Sequence, residues 1–144
     1  MMTAFIAETP QWADAVFCAS PLLDERLHNR LIQYANAQAE MPTASTAAAC
    51  CGNVAAREAA YRFLENPRVL PDDILEGVVM HTGELCKARS LILAVQDTTS
   101  VAVRHRPLAQ ELQEEGSPTG FLVHTTLALD GETGEVLGVL DQER

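Results

Sequence analysis

Apolar residues recur at helical spacing up to about residue 88 and at strand spacing after it. Trp12, Val16 and Phe17 fall at i, i+4 and i+5, and Thr9 followed by Pro10 suits an N-cap and first helical position, so a short amphipathic helix is expected there. A second helix is expected from Asp24 as its cap, through the stripe Leu27, Leu31, Tyr34 and Ala35, to a stop at Pro42. Arg26 and Arg30, four residues apart, project together from another face of it. The Ala-rich text of residues 43–67 is broken at Gly52 and Asn53, which predicts two short helices joined by a tight turn, a helix-turn-helix in outline only. A further helix is expected from Pro71, with Asp72 and Asp73 favourable at its N-terminal pole. Its inner face is Ile74, Leu75, Val78 and Val79, and Lys87 and Arg89 suit its far end.

Three strand segments follow: "SLILAVQDTTSVAV" (90–103), "GFLVHTTLAL" (120–129) and "EVLGVLDQE" (135–143). Between the last two, "DGETG" is a hairpin signal, because Asp-Gly and Gly supply the positive-φ positions of a tight turn. The expected sheet is therefore a meander. "RHRPLAQELQEEGSPTG", between the first two strands, is expected to be a long mobile loop with a short helical turn. Leu91 to Val95 read as a near-continuous apolar run of the kind buried on both faces, with Asp97 at the rim of the core. A carboxylate placed there is exposed, hydrogen-bonded or holding a cation. Three strands with helices only upstream leave sheet faces uncovered, so the sequence is expected to be the first part of a larger fold or to be completed by another chain.

Composition narrows the class. The chain has 144 residues, 47% of them apolar, enough for a real core in one domain or two small ones. No stretch approaches the roughly 18 apolar residues of a membrane span, and the N-terminus has neither a basic start nor a long apolar run, so a cytoplasmic protein with no membrane partner is expected. Cys18, Cys50, Cys51 and Cys86 form no CxxC pair and, with the four histidines, offer no zinc spacing, so they read as free and mostly buried thiols. The net charge of -10 argues against phosphate binding, which needs Lys and Arg to displace counterions. Its distribution softens that exclusion. Residues 1–70 carry five Arg against seven acids, a net of -2, whereas residues 71–144 carry the remaining -8.

Several segments carry a family resemblance. "QWADAVFCASPLLDERLHNRLIQYA", "AAREAAYRFLENPRV", "LAVQDTTSVAVRH" and "GFLVHTTLALDGETGEVLGVLDQE" resemble, in order and spacing, the N-terminal part of Tn5-type transposases of the IS4 family, with YRFLEN and QDTT the most specific elements. The resemblance implies an α+β chain. Residues 1–70 would be an all-α domain binding the transposon end, and residues 71–144 a linker helix and the first three antiparallel strands of an incomplete RNase H-like domain. Asp97 of QDTT would be the first acid of a DDE triad that holds Mg²⁺ in the complete enzyme, the other Asp and the Glu lying downstream in the family. One carboxylate holds Mg²⁺ weakly and two-metal phosphoryl chemistry needs several, so no DNA cleavage is expected from this chain alone. Arg26, Arg30 and Arg62 match the family's DNA-contacting basic positions, with Arg57 and Arg68 as possible additions, and phosphate contact is the role expected of each. The family also implies a bacterial, nucleoid-associated setting and a transposase dimer partner. An alternative role is a stand-alone regulator that competes for transposon ends or pairs with full-length transposase.

Plainer readings stand beside these. Asp97 by pattern alone would cap a Thr-Thr turn through its side chain. Arg62 has Glu58 four residues earlier, the favourable order for a helical ion pair, and such a pair is compatible with presenting the guanidinium to phosphate. Tyr61 and Phe63 are expected in the core, as is Trp12. His105 and His124 read as packed, hydrogen-bonded histidines, and Asp141 and Glu143 as too far from Asp97 to share a metal if the strands form a meander.

Overall fold

A computed structural model describes residues 12–50, 52–103 and 120–144. The expected cap at Thr9 and Pro10, His105, Cys51 and nearly all of the loop after the first strand lie outside the described residues. Among the described residues five helices precede three strands: α1 (Trp12–Phe17), α2 (Glu25–Glu40), α3 (Thr46–Ala49), α4 (Val54–Leu64), α5 (Pro71–Lys87), β1 (Ile92–Ala102), β2 (Gly120–Asp130) and β3 (Val136–Glu143). The chain divides into two compact units, Met1–His81 and Thr82–Arg144, with the boundary inside α5. Among the described residues no helix is long and apolar enough to cross a membrane.

In the first unit, local capping chemistry sets the helix ends. Asp24 accepts from the Leu27 amide at 2.9 Å, and Asn53 accepts from the Ala56 amide at 3.1 Å, each satisfying an amide that the first helical turn leaves without an intrahelical partner. Gly52 turns the chain into α4 with φ of 73°, a conformation that disfavours side chains. α2 is the hub, with α1, α3 and α4 packed on it. The Phe17 carbonyl accepts from His28 Nε2 at 2.8 Å, Tyr34 and Thr46 share a hydroxyl hydrogen bond at 3.0 Å, and Gln38 Nε2 donates to the Ala44 carbonyl at 2.9 Å. These bonds tie α1, α3 and the connection after α2 to one helix. The buried centre is Ala13, Leu31, Ala49, Cys50, Ala60 and Phe63. Trp12 is half-buried with its ring 6.2 Å from that of Phe17. Tyr61 departs from expectation: it is exposed, because α4 turns Ala60 and Phe63 inward and leaves Tyr61 on its outer side. Of the thiols, Cys50 is buried, Cys86 half-buried and Cys18 exposed.

Gly77 of α5 packs directly on Ser20, whose hydroxyl is buried without a hydrogen-bond partner. A Cβ at residue 77 would meet the Ser20 hydroxyl and stand 3.0 Å from its backbone nitrogen. Gly77→Ala is therefore expected to destabilise the chain by about 1–3 kcal/mol, the usual cost of overpacking, despite the better helix propensity of Ala. Chemical denaturation of Gly77→Ala alone and combined with Ser20→Gly checks it, since the second change should restore part of the loss.

The second unit is a three-stranded antiparallel sheet in the order β1-β2-β3, the expected meander. Asp130 organises the hairpin between β2 and β3. Its carboxylate accepts from the Glu132 and Thr133 amides at 2.8 and 3.3 Å and meets the Arg89 guanidinium at 3.4 Å. Gly134 supplies a positive φ of 74° in this turn. Gly131 does not, and its role is close approach, since a side chain there would collide with Leu91. One-residue register shifts lie between Thr126 and Leu127 and between Ala128 and Leu129, and they set Gly138 opposite Ala128. Thr82, wholly buried, packs against Gly138.

Hydrogen bonds from the Glu132 and Thr133 amides, with the Arg89 charge, hold the Asp130 carboxyl below its ordinary value of 3.8 against the opposing effect of burial. A depressed carboxyl stabilises the fold above the unfolded value, and that stabilisation is lost as pH falls through the folded one. Asp130→Asn keeps the turn acceptor and removes the charge. It is expected to melt lower than the parent at neutral pH, with the gap closing as the pH drops below 3.8, a comparison that circular-dichroism melts across pH provide.

The first strand differs from the expected two-faced burial. Leu93 and Val95 are 47% and 46% exposed, and every residue of β1 after Ile92 is exposed. Among the described residues β1 is an edge strand, with only β2 beside it in the sheet. The strand also runs through Asp97 to Ala102, which sets Asp97 mid-strand rather than at a core rim, and Thr98 and Thr99 form no turn for it to cap.

Candidate nucleic-acid interface

The cap at Asp24 fixes the phase of α2, so Arg26 and Arg30 stand one turn apart on the side that faces the C-terminal half of α4. Across the gap, α4 turns Phe63 inward and carries Arg62 and the following Asn66 to the opposite wall. The result is an open notch of about 220 Å³ lined by Arg26, Leu27, Arg30, Ala59, Arg62, Phe63 and Asn66. Leu27, Ala59 and Phe63 form its apolar side and three guanidinium-bearing side chains its polar side. The structure thus brings together the three arginines that the sequence singled out on two separate helices.

Two of the three guanidiniums, those of Arg62 and Arg30, are oriented without being consumed. Arg62 meets Glu58 at 3.5 Å, the helical pair expected from the sequence, and its side chain remains 82% exposed. Arg30 donates to Gln33 Oε1 at 3.1 Å. Such exposed contacts add little to stability, yet they restrict long side chains beforehand, which lowers the entropy lost when a phosphate is bound. Arg68 has a different place. It meets Asp24 at 3.5 Å, while the other oxygen of that carboxylate caps α2, so Arg68 ties the segment after α4 to the start of α2. Arg57 is exposed on α4 and does not line the notch.

Asp97 lies in the second unit. It pairs with Thr125 of β2, which pairs with Gln142 of β3; Gln142 donates to the Thr125 hydroxyl at 3.1 Å, and Thr99 donates to the Asp97 carboxylate at 3.2 Å. Asp141 opposes Thr126 and Glu143 opposes His124, so both acids lie on the face opposite Asp97. On that face Thr98 and the half-buried His124 share a hydrogen bond at 2.8 Å. Among the described residues no group of three His, Cys, Asp or Glu stands together to hold a metal ion. Asp97 with neighbouring hydroxyl and amide oxygens would offer Mg²⁺, which keeps several of its waters, a single charged ligand.

Residues 9–69, the stretch that contains α1 to α4 and the arginine notch, match the family model of transposase DNA-binding domains. The match supports a transposase DNA-binding domain over this segment, with DNA as its partner.

Proposed function

We propose that this chain is the DNA-binding portion of a cut-and-paste transposase of the Tn5-type IS4 family, and that its first unit grips the transposon end through Arg26, Arg30 and Arg62. The carrying observation is the convergence of those three side chains on one notch inside the matched segment. Guanidinium groups present planar arrays of donors suited to phosphate oxygens, and neighbouring cations on two helices meet successive phosphates of one backbone. Their local concentration accounts for DNA binding by a chain of net charge -10, because a phosphate contact depends on charges within a Debye length of about 8–10 Å rather than on the total. In the same reading Asp97 is the first acid of the DDE site. It supplies one ligand and requires further carboxylates before phosphoryl transfer is possible.

Electrophoretic mobility shift over a salt series tests the reading. With random-sequence duplex DNA the parent chain is expected to bind at low salt and release steeply as salt rises. Absence of binding at the lowest salt would refute it.

A further inference from the structure

We infer that Tyr61 is a specificity-determining residue that reads a thymine methyl group in the major groove, an inference that rests on the DNA-binding reading above. The aromatic residues of the YRF stretch are divided by the fold. Phe63 is 2% exposed in the core, whereas Tyr61 is 41% exposed on the outer side of α4. Val54, two turns earlier on that side, is 54% exposed. Glu58 and Arg62 are exposed beside them, and Arg57 sits one turn before Tyr61. The outer side of α4 therefore presents Val54 and Tyr61, with Arg57 on one side of the ring and Glu58, Arg62 and the exposed Glu65 on the other.

The place of α4 inside the segment matched to transposase DNA-binding domains, with Arg57 one turn before the ring, favours duplex DNA over an apolar protein surface as the occupant, since a cation beside a phosphate releases a counterion. A helix of this width enters the major groove, where the base edges present hydrogen-bonding groups and one kind of apolar group, the C5 methyl of thymine. An outward Tyr ring in such a helix buries its apolar area against that methyl. Glu58 and Arg62 stay available for polar edges and phosphates on either side. Tyr61 then adds sequence discrimination, while Arg26, Arg30 and Arg62 supply salt-dependent affinity.

The test uses the full chain. Duplexes enriched from a random-sequence pool first define a preferred site, and each dT in that site is then replaced singly by dU, which removes only the methyl group. At one position the parent is expected to lose about fourfold in affinity, the effect of exposing one buried methyl, and Tyr61→Ala is expected to lose nothing further there. Tyr61→Phe should keep the dT preference. The salt slope should be the same for all three proteins, because no phosphate contact is changed. If the parent binds duplex DNA but no dU position distinguishes it from Tyr61→Ala, the Tyr61 inference is overturned and the DNA-binding reading stands. If the parent binds no DNA, both fall.

Discussion

A variant with Arg26, Arg30 and Arg62 all changed to Gln is expected to bind duplex DNA at least about a hundredfold more weakly than the parent at low salt, from the loss of three charge-assisted contacts. Its dependence of log K on log salt should flatten by about 2.7, since each neutralised phosphate contributes about 0.9 to the slope. The single variants should each flatten it by about 0.9. Stability should change little, because the one ion pair involved among the described residues, between Arg62 and Glu58, is exposed. Arg68→Gln is the contrasting control. Arg68 is bound to the Asp24 carboxylate rather than lining the notch, so its loss is expected to leave the slope unchanged. Equal slopes for the triple variant and the parent would remove the notch from the DNA-binding surface.

The largest effect on stability is expected at Phe63. Its ring is buried on the inner side of α4, where it lines both the arginine notch and the apolar groove bounded by Leu31, Tyr34 and Ile74. Phe63→Ala removes that packing and leaves a cavity, at a typical cost of about 3–5 kcal/mol. That is a large share of the roughly 5–15 kcal/mol by which a domain is stable. Tyr61→Ala, two residues away on the outer side, should cost no more than about 0.5 kcal/mol, as is usual for exposed positions. Urea unfolding of the two variants side by side measures the contrast, and similar losses would place both rings in equivalent surroundings. Phe63→Ala should also weaken DNA binding, because the same ring sets the wall from which Arg62 projects.

The start of α2 was legible in the residues because capping is local: Asp24 bonds an amide three residues on, and Asn53, which reads in the sequence only as a break, does the same for α4. The Glu58 and Arg62 pair was legible for the same reason. Tyr61 was not. Its neighbour Phe63 has the same aromatic character, and only the packing of α4 on α2 decides which ring is covered. The exposure of β1 also escaped the pattern, since Leu91 to Val95 read alike in a central strand and in an edge strand.

Register shows how tertiary demands act on a hairpin that the turn sequence announces. Continued unbroken from Leu129 opposite Val136, the pairing would set Leu137 against Ala128 and Asp141 against His124. Two one-residue shifts instead bring Gly138 against Ala128, where Thr82 packs, and move Asp141 to Thr126, still on the face away from Asp97.

By itself the sequence determined the order of elements, the Asp24 cap, the Asp130 turn and the four-residue spacing of Arg26 and Arg30, all local features of residues a few positions apart. Only the tertiary structure decided that Arg62 faces Arg26 and Arg30 across one notch, that Tyr61 is outward, and that Asp97 and Asp141 occupy opposite sheet faces. Those outcomes depend on which surfaces pack and in what register, and residues distant in the chain set both.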